Sequence, residues 1–290
     1  MTSSQHSSVD PSIPPLKPTH PISTELKEPP HLQSLIEILN LQSHIEGGYF
    51  VETDRDTLQV PNPFLQKEPA QPIQTFTSSS GSVSTAPAPP ASNNGPPAHT
   101  SQDPMATGPS GAGKIDSSAD DSTRNASTTI HYMLTPSMQM GHFHRNKGRT
   151  IHTLHKGRGQ YVLIHADEVL SSYDDDSNLP AAGHGQTAKL NPNTDERARV
   201  RSKARVETFV VGTDIEKGER VQWIVGGGKY KASFILPCRD AQGRKEPLLI
   251  SETVVPGFEF KDHDFLSLER FGKLVGEEQR EELEWLVRKV

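Results

Sequence analysis

Cysteine is almost missing from this chain: Cys238 is the single one in 290 residues. An internal disulfide framework is therefore excluded, which suits a reducing compartment. Apolar residues are scarce as well, at 32%, against the roughly 45–50% of an ordinary globular chain. Much of the sequence cannot be packed core. Nowhere do apolar residues run for the ~18 positions that a membrane-spanning helix needs. The opening residues, Met1-Thr2-Ser3-Ser4-Gln5-His6, offer neither a basic start nor an apolar stretch, so no secretory leader is expected. Charge of one sign is lacking too, since the net value is −6 with 30 basic and 36 acidic residues. That balance gives no general attraction to nucleic acid or to an anionic membrane. A cytoplasmic or nucleocytoplasmic protein without nucleic-acid or membrane partners is expected.

What apolar content there is gathers in two stretches, Leu32 to Val60 and Ile130 to Val290. Together they suit one domain of about 160–190 ordered residues, enough to bury a core without staples. Residues 1–28 are rich in Ser, Pro, Thr and His and read as a disordered tail. The tract 66–123 is nearly all Ser, Thr, Pro, Ala and Gly (Ser78-Ser79-Ser80-Gly81-Ser82, Pro87-Ala88-Pro89-Pro90) and reads as a disordered insertion. Lengthening a surface loop costs only about 0.6 kcal/mol per doubling, so the flanking strands can share one sheet. A second polar interruption, 171–203, widens another connection, and His184 within it reads as a solvated loop residue. The domain is expected at 29–275, with a C-terminal helix at 276–290.

Pro29-Pro30 stands where a helix would start, and Leu32, Leu35, Ile36 and Leu39 follow at helical spacing, predicting a short amphipathic helix that ends near Asn40. Paired glycines, Gly47-Gly48, then break the chain before the strand Tyr49-Phe50-Val51-Glu52-Thr53. This reads as a turn feeding an edge strand, or as a strand whose Tyr49 or Glu52 reaches a ligand. Further strands are predicted at 128–134, 159–165, 206–211, 221–225, 229–236 and 248–255, separated by Gly or Pro turns. Short strands at such spacing predict an all-β sandwich or barrel. Near the end, Gly276-Glu277-Glu278 opens a charged helix with Leu283, Leu286 and Val287 on its apolar side.

Histidine is concentrated. Six of the thirteen (His131, His142, His144, His152, His155, His165) fall within thirty-five residues of β-forming sequence. On a regular strand His142 and His144 point the same way, about 7 Å apart at their bases, so they can share one metal or one small ligand. A turn at Asn146-Lys147-Gly148 would return the chain antiparallel and bring Thr150 and His152 against that pair.

Four pieces in order resemble the RmlC-like cupin superfamily, specifically the small single-domain cupins of the Cupin_5 group. They are His44-Ile45-Glu46-Gly47-Gly48-Tyr49-Phe50-Val51-Glu52-Thr53, Thr128 to Leu134, Phe143-His144-Arg145 with Gly157, and Thr253-Val254-Val255-Pro256-Gly257-Phe258-Glu259-Phe260. The resemblance implies a double-stranded β-helix, or jelly-roll barrel, with a ligand pocket in its mouth and assembly into a homodimer. The metal pattern general to cupins is incomplete here. Thr150 stands where a Glu belongs, Gly226-Gly227-Gly228 replaces a Pro-x-Gly turn, Lys231 falls where the last His belongs, and Val51 replaces an arginine in the opening. No cofactor is therefore expected, and a divalent metal would need a displaced set, His142, His144 and His152.

The function expected is binding of a small polar or anionic ligand, a sugar, nucleotide or organic acid. Tyr49, Glu52, Tyr132, His142, His144, Arg145, His152, Lys231 and Phe258 are its expected lining. Two alternatives stand beside it. One is a metal-independent epimerase or isomerase with His144 or His142 as base and Tyr132 or Tyr161 as acid. The other is a non-catalytic scaffold acting through the Ser/Pro-rich insertion.

Overall fold

A computed structural model describes residues 6–20, 27–65, 121–169 and 203–289. The insertion and the polar loop expected at 66–123 and 171–203, His184 included, lie outside the described residues except for 121–123 and 203.

Helix α1 (Pro30–Ile38) begins with Pro at its first turn and buries Leu32 and Ile36. It stops at Asn40, which takes a left-handed φ of 53°. Thirteen strands follow among the described residues: β1 (Gln42–Ser43), β2 (Tyr49–Arg55), β3 (Gln59–Pro61), β4 (Thr123–Asn125), β5 (Thr128–Leu134), β6 (Met140–Asn146), β7 (Arg149–Lys156), β8 (Gly159–Ile164), β9 (Val206–Val211), β10 (Gln222–Val225), β11 (Tyr230–Ile235), β12 (Leu248–Val255) and β13 (His263–Phe265). Two helices close the chain, α2 (Leu268–Leu274) and α3 (Glu277–Leu283), with one 3₁₀ turn after them at Glu284–Leu286. The C-terminal helix expected at 276–290 is thus shorter, because the chain tightens at Glu284, while Leu283, Leu286 and Val287 are buried.

The strands form a six-stranded sheet, β1-β2-β5-β12-β7-β10, and a five-stranded sheet, β13-β6-β11-β8-β9. From β5 to β12, consecutive strands alternate between the two sheets at every step except β8 to β9, which pair directly. That alternation is what makes a jelly roll: each turn crosses from one sheet to the other and encloses a lumen between them. The antiparallel return expected at Asn146-Lys147-Gly148 accordingly does not pair β6 with β7. The turn at Lys147-Gly148 carries the chain across the lumen, so β6 pairs β11 and β13 while β7 pairs β10 and β12. Imidazoles on β6 and β7 approach from opposite walls.

Apolar side chains fill one end of the lumen: Leu134, Tyr161, Phe209, Trp223, Ile235 and Ile250 among others. A second core lies on the outer face of the five-stranded sheet, where Phe143, Tyr230, Ala232 and Phe234 meet Phe271, Leu274, Leu283 and Leu286. Residues 6–20, part of the stretch read as a tail at 1–28, of which 1–5 and 21–26 lie outside the described residues, pack on this second core. Leu16 is buried there, and one carboxylate secures the segment: Glu282 accepts hydrogen bonds from Ser7 Oγ, Ser8 N, Ser8 Oγ and Leu16 N at 2.6–2.7 Å. Low apolar content predicts disorder only when no remote polar anchor offsets the ordering entropy.

Candidate functional site

Polarity changes at one level of the barrel. Along β12 the inward positions read Leu248, Ile250, Glu252, Val254, so a carboxylate interrupts an apolar stripe. In that layer Glu252 pairs across to His152 on β7, which pairs on to Trp223 of β10. On the facing sheet the same step along β11 runs Ile235, Ser233, Lys231, and Lys231 pairs with His144 of β6. The Lys231 ammonium donates to Glu252 Oε2 and, at 2.9 Å, to His152 Nε2. His152 is fully buried and stacks on Trp223 with ring centroids 5.1 Å apart.

The second half of the site comes from the Gly47-Gly48 turn. Both glycines have positive φ, 103° and 73°, which residues with a Cβ rarely adopt. The turn is fastened to β6 by His142 N donating to Glu46 O at 2.7 Å, and to β5 by Tyr132 Oη donating to Gly47 O at 2.9 Å. This hold aims the Glu46 carboxylate into the barrel. There its Oε1 meets His263 Nε2 at 2.9 Å, its Oε2 meets His144 Nε2 at 3.2 Å, and His44 Nδ1 stands 3.5 Å from Oε2. The His144 and His263 rings stack, their centroids 5.4 Å apart. Nitrogen and oxygen donors of Glu46, His144 and His263 all lie within 4.8 Å of one another, a spacing that can hold a metal ion.

Burial raises the Glu46 carboxyl, but His144, His263, His44 and Lys231 more than reverse this and bring it down to about 2. Burial also raises Glu252, and Lys231 with His152 pull it well below the carboxylate range. His144 is pushed down to about 3, first by burial, although Glu46 pulls the other way. Burial lowers His44 and His152 in the same manner. At neutral pH the layer therefore presents two carboxylates, one ammonium and uncharged imidazoles at His144, His44 and His152. Apart from His152, these side chains are 4–14% exposed.

The expected lining divides. His144, His152 and Lys231 are brought together in this layer. Phe258 lies beside it, its ring 5.7 Å from that of His263. Tyr132 faces the lumen, yet its hydroxyl is committed to Gly47 O and pushed well above 10 by burial, then by Glu46 and Glu252. Glu52 is exposed and pairs with Arg55. Three residues face elsewhere. Tyr49 packs beside α1 and donates to Glu28, while Arg145 bonds Asp264 and covers the outer face of Tyr230.

His142 is the third, and the reason is a register shift in β6. Lys231 pairs with His144 but Ser233 pairs with Gly141, three residues away rather than two. The extra residue sends both His142 and Phe143 outward, and the His142 ring lies against the Leu286 backbone and Arg288. The displaced metal set His142, His144 and His152 is not assembled. Glu46, His44, Glu252 and His263 belong to the site in their place. Glu252 carried a signal in the sequence, since a charged residue interrupts an inward apolar alternation, and Glu46 lay inside the recognised opening motif. His263 carried none.

A jelly-roll barrel with a polar layer across its lumen defines the cupin class. The family described as Cupin superfamily (DUF985) matches residues 33–266, and the chain belongs to that family. It is 33% identical to an uncharacterised protein of Saccharomyces cerevisiae over 275 residues, 93% of this chain and 94% of the relative. Among solved structures it is similar to a protein from Shewanella oneidensis, with 16% identity, 89% and 98% of the two chains covered and a TM-score of 0.48. It is also similar to a hypothetical protein from Leishmania major, with 19% identity, 82% and 89% covered and a TM-score of 0.44. No helix of the described residues is long and apolar enough to cross a membrane.

Proposed function

We propose that the barrel binds a small polyhydroxylated molecule, with Lys231 as its central contact. One observation carries this reading: Lys231 spends two ammonium donors on Glu252 and His152, and an ammonium has three. The remaining donor serves a ligand hydroxyl, while Glu46 and the His44 and His144 imidazoles offer acceptors on the opposite wall. Lys231 balances Glu252, so Glu46 leaves the layer with a surplus negative charge. A neutral, oxygen-rich ligand suits that balance better than an anion does, because an added negative charge would sit in a poorly solvated space. A divalent ion belongs to this reading only at Glu46, His144 and His263, since His142 lies outside the lumen and Lys231 engages His152 Nε2.

Ligand-observed NMR with mixed neutral sugars, polyols, sugar nucleotides and organic acids tests the reading on chelator-treated protein. Saturation transfer to neutral sugars or polyols, abolished in Lys231→Met, is the expected result; transfer to none of the compounds overturns it.

An isomerase or epimerase reading is favoured by a separate feature, the carboxylate–imidazole pair Glu46–His263 at 2.9 Å. A carboxylate that orients an imidazole is the arrangement a general base needs. Incorporation of solvent deuterium at a carbon of the bound sugar supports proton transfer, and full retention of protium argues for binding alone.

A further inference from the structure

We propose that His142, which lies outside the lumen, is a positioning residue that holds Glu46 and His144 in their places in the polar layer. This role rests on the ligand reading for the purpose of the layer, but its geometry can be read without any ligand.

The register shift in β6 is where it begins. Between the Ser233–Gly141 and Lys231–His144 pairs, His142 and Phe143 together stand against the single Ala232. A bulge of this kind takes backbone groups out of the ladder, and those groups need partners elsewhere. The N–H and C=O of His142 both find theirs in the site. The N–H donates to Glu46 O at 2.7 Å, which fastens the glycine turn at the very residue that carries the carboxylate. The carbonyl accepts from His144 Nδ1 at 2.8 Å. Since a carbonyl only accepts, this bond is made whatever the charge on the His144 ring, and it directs the other ring nitrogen, Nε2, at Glu46 Oε2, 3.2 Å away.

The bulge itself is held by the His142 ring. That ring is hydrogen-bonded to the Leu286 backbone, and Nδ1 is buried without a partner, so Nε2 is the donor. Leu286 is fully buried in the 3₁₀ turn Glu284–Leu286 and shares a core with Phe143, the other bulged residue. On its outer side the bulge is therefore pinned to the C-terminal turn by a packed phenyl ring and a hydrogen bond. On its inner side it holds two groups of the polar layer. Side chains keep a productive geometry when the residues behind them are locked by packing and hydrogen bonds. His152 gives the contrast, because it lies in the same layer but is held by Lys231 and by stacking on Trp223.

The test uses the chelator-treated full chain with ¹⁵N-labelled histidine, as wild type, His142→Ala and His142→Gln. The Gln amide supplies a donor in place of Nε2. Long-range ¹H–¹⁵N spectra locate the ring hydrogens. In the wild type, His144 is expected to carry hydrogen on Nδ1 and His142 on Nε2, and the opposite tautomer at either residue overturns the proposal. In His142→Ala, solvent exchange of the His144 Nδ1 hydrogen and of the His263 Nε2 hydrogen bound to Glu46 is expected to quicken about fivefold or more, the worth of one hydrogen bond. The His152 ring hydrogen is expected to exchange as before, and His142→Gln is expected to keep wild-type rates at all three rings. Equal quickening at His152 marks general loosening and overturns the proposal, as do wild-type rates in His142→Ala. Should His142→Ala fail to fold, His142→Leu, bulkier but without a donor, takes its place, and the wild-type tautomers decide on their own. No ligand enters these readouts, so a barrel that binds no sugar leaves them standing, and their failure leaves sugar binding by the wild type to be measured.

Discussion

Gly47 lies so close to Met140 that a Cβ built on it would stand 2.2 Å from the Met140 carbonyl oxygen, and its φ of 103° disfavours any side chain in any case. The contact sets how far the Glu46 turn enters the barrel. Gly47→Ala is therefore expected to lower stability by at least about 2 kcal/mol and to withdraw Glu46 from His144 and His263. Urea unfolding measures the first effect, and histidine ring shifts by NMR measure the second. A variant as stable as the parent would show that the turn relaxes freely.

Lys231 and Glu252 form a pair that neither residue can leave alone. Lys231→Met strands a buried carboxylate and Glu252→Leu strands an ammonium, so each single change is expected to cost roughly 3–5 kcal/mol. The double variant Lys231→Met/Glu252→Leu is expected to recover a large part of that loss. A double-mutant cycle on unfolding free energies checks this, and simple additivity would contradict the pairing.

Acid should destabilise the metal-free protein earlier than ordinary carboxylates would. His144 titrates at about 3 when folded against an ordinary 6.5, so between those values the unfolded chain binds the extra proton. Glu46, at about 2 against 4.5, behaves in the same sense over a lower window. Stability from both groups is present above the unfolded values and is lost as pH falls. The expected slope is about 1.4 kcal/mol per pH unit per group within its window. Chemical unfolding between pH 7 and 4 reads it, and a flat profile would mean that His144 is solvated or charged.

Glu282 should decide whether residues 6–20 stay in place. Glu282→Ala removes the acceptor shared by Ser7, Ser8 and Leu16. The cost expected is about 1–3 kcal/mol, with hydrogen-exchange protection lost in residues 6–20 while the barrel strands keep theirs. Unchanged protection would mean that Leu16 burial alone suffices.

The barrel was legible in the sequence because strand alternation and turn residues are local signals: strands predicted at 128–134, 206–211 and 248–255 are found at those positions. The site was only half legible. His144 and His152 followed from alternation and Lys231 from the resemblance to cupins, but one extra residue in β6 turned His142 outward, and no local pattern announces such a shift. Sheet partnership was equally hidden, since a tight turn at Lys147-Gly148 reads the same whether the chain doubles back or crosses the lumen. His263 and the Glu282 anchor depend on contacts between distant parts of the chain.

Whether the polar layer receives a ligand is read most directly by calorimetric titration of a neutral sugar or polyol into chelator-treated wild-type protein and into Lys231→Met/Glu252→Leu. Saturable binding by the wild type and none by the double variant is expected. Equal binding by both would place the ligand outside the barrel, away from Lys231.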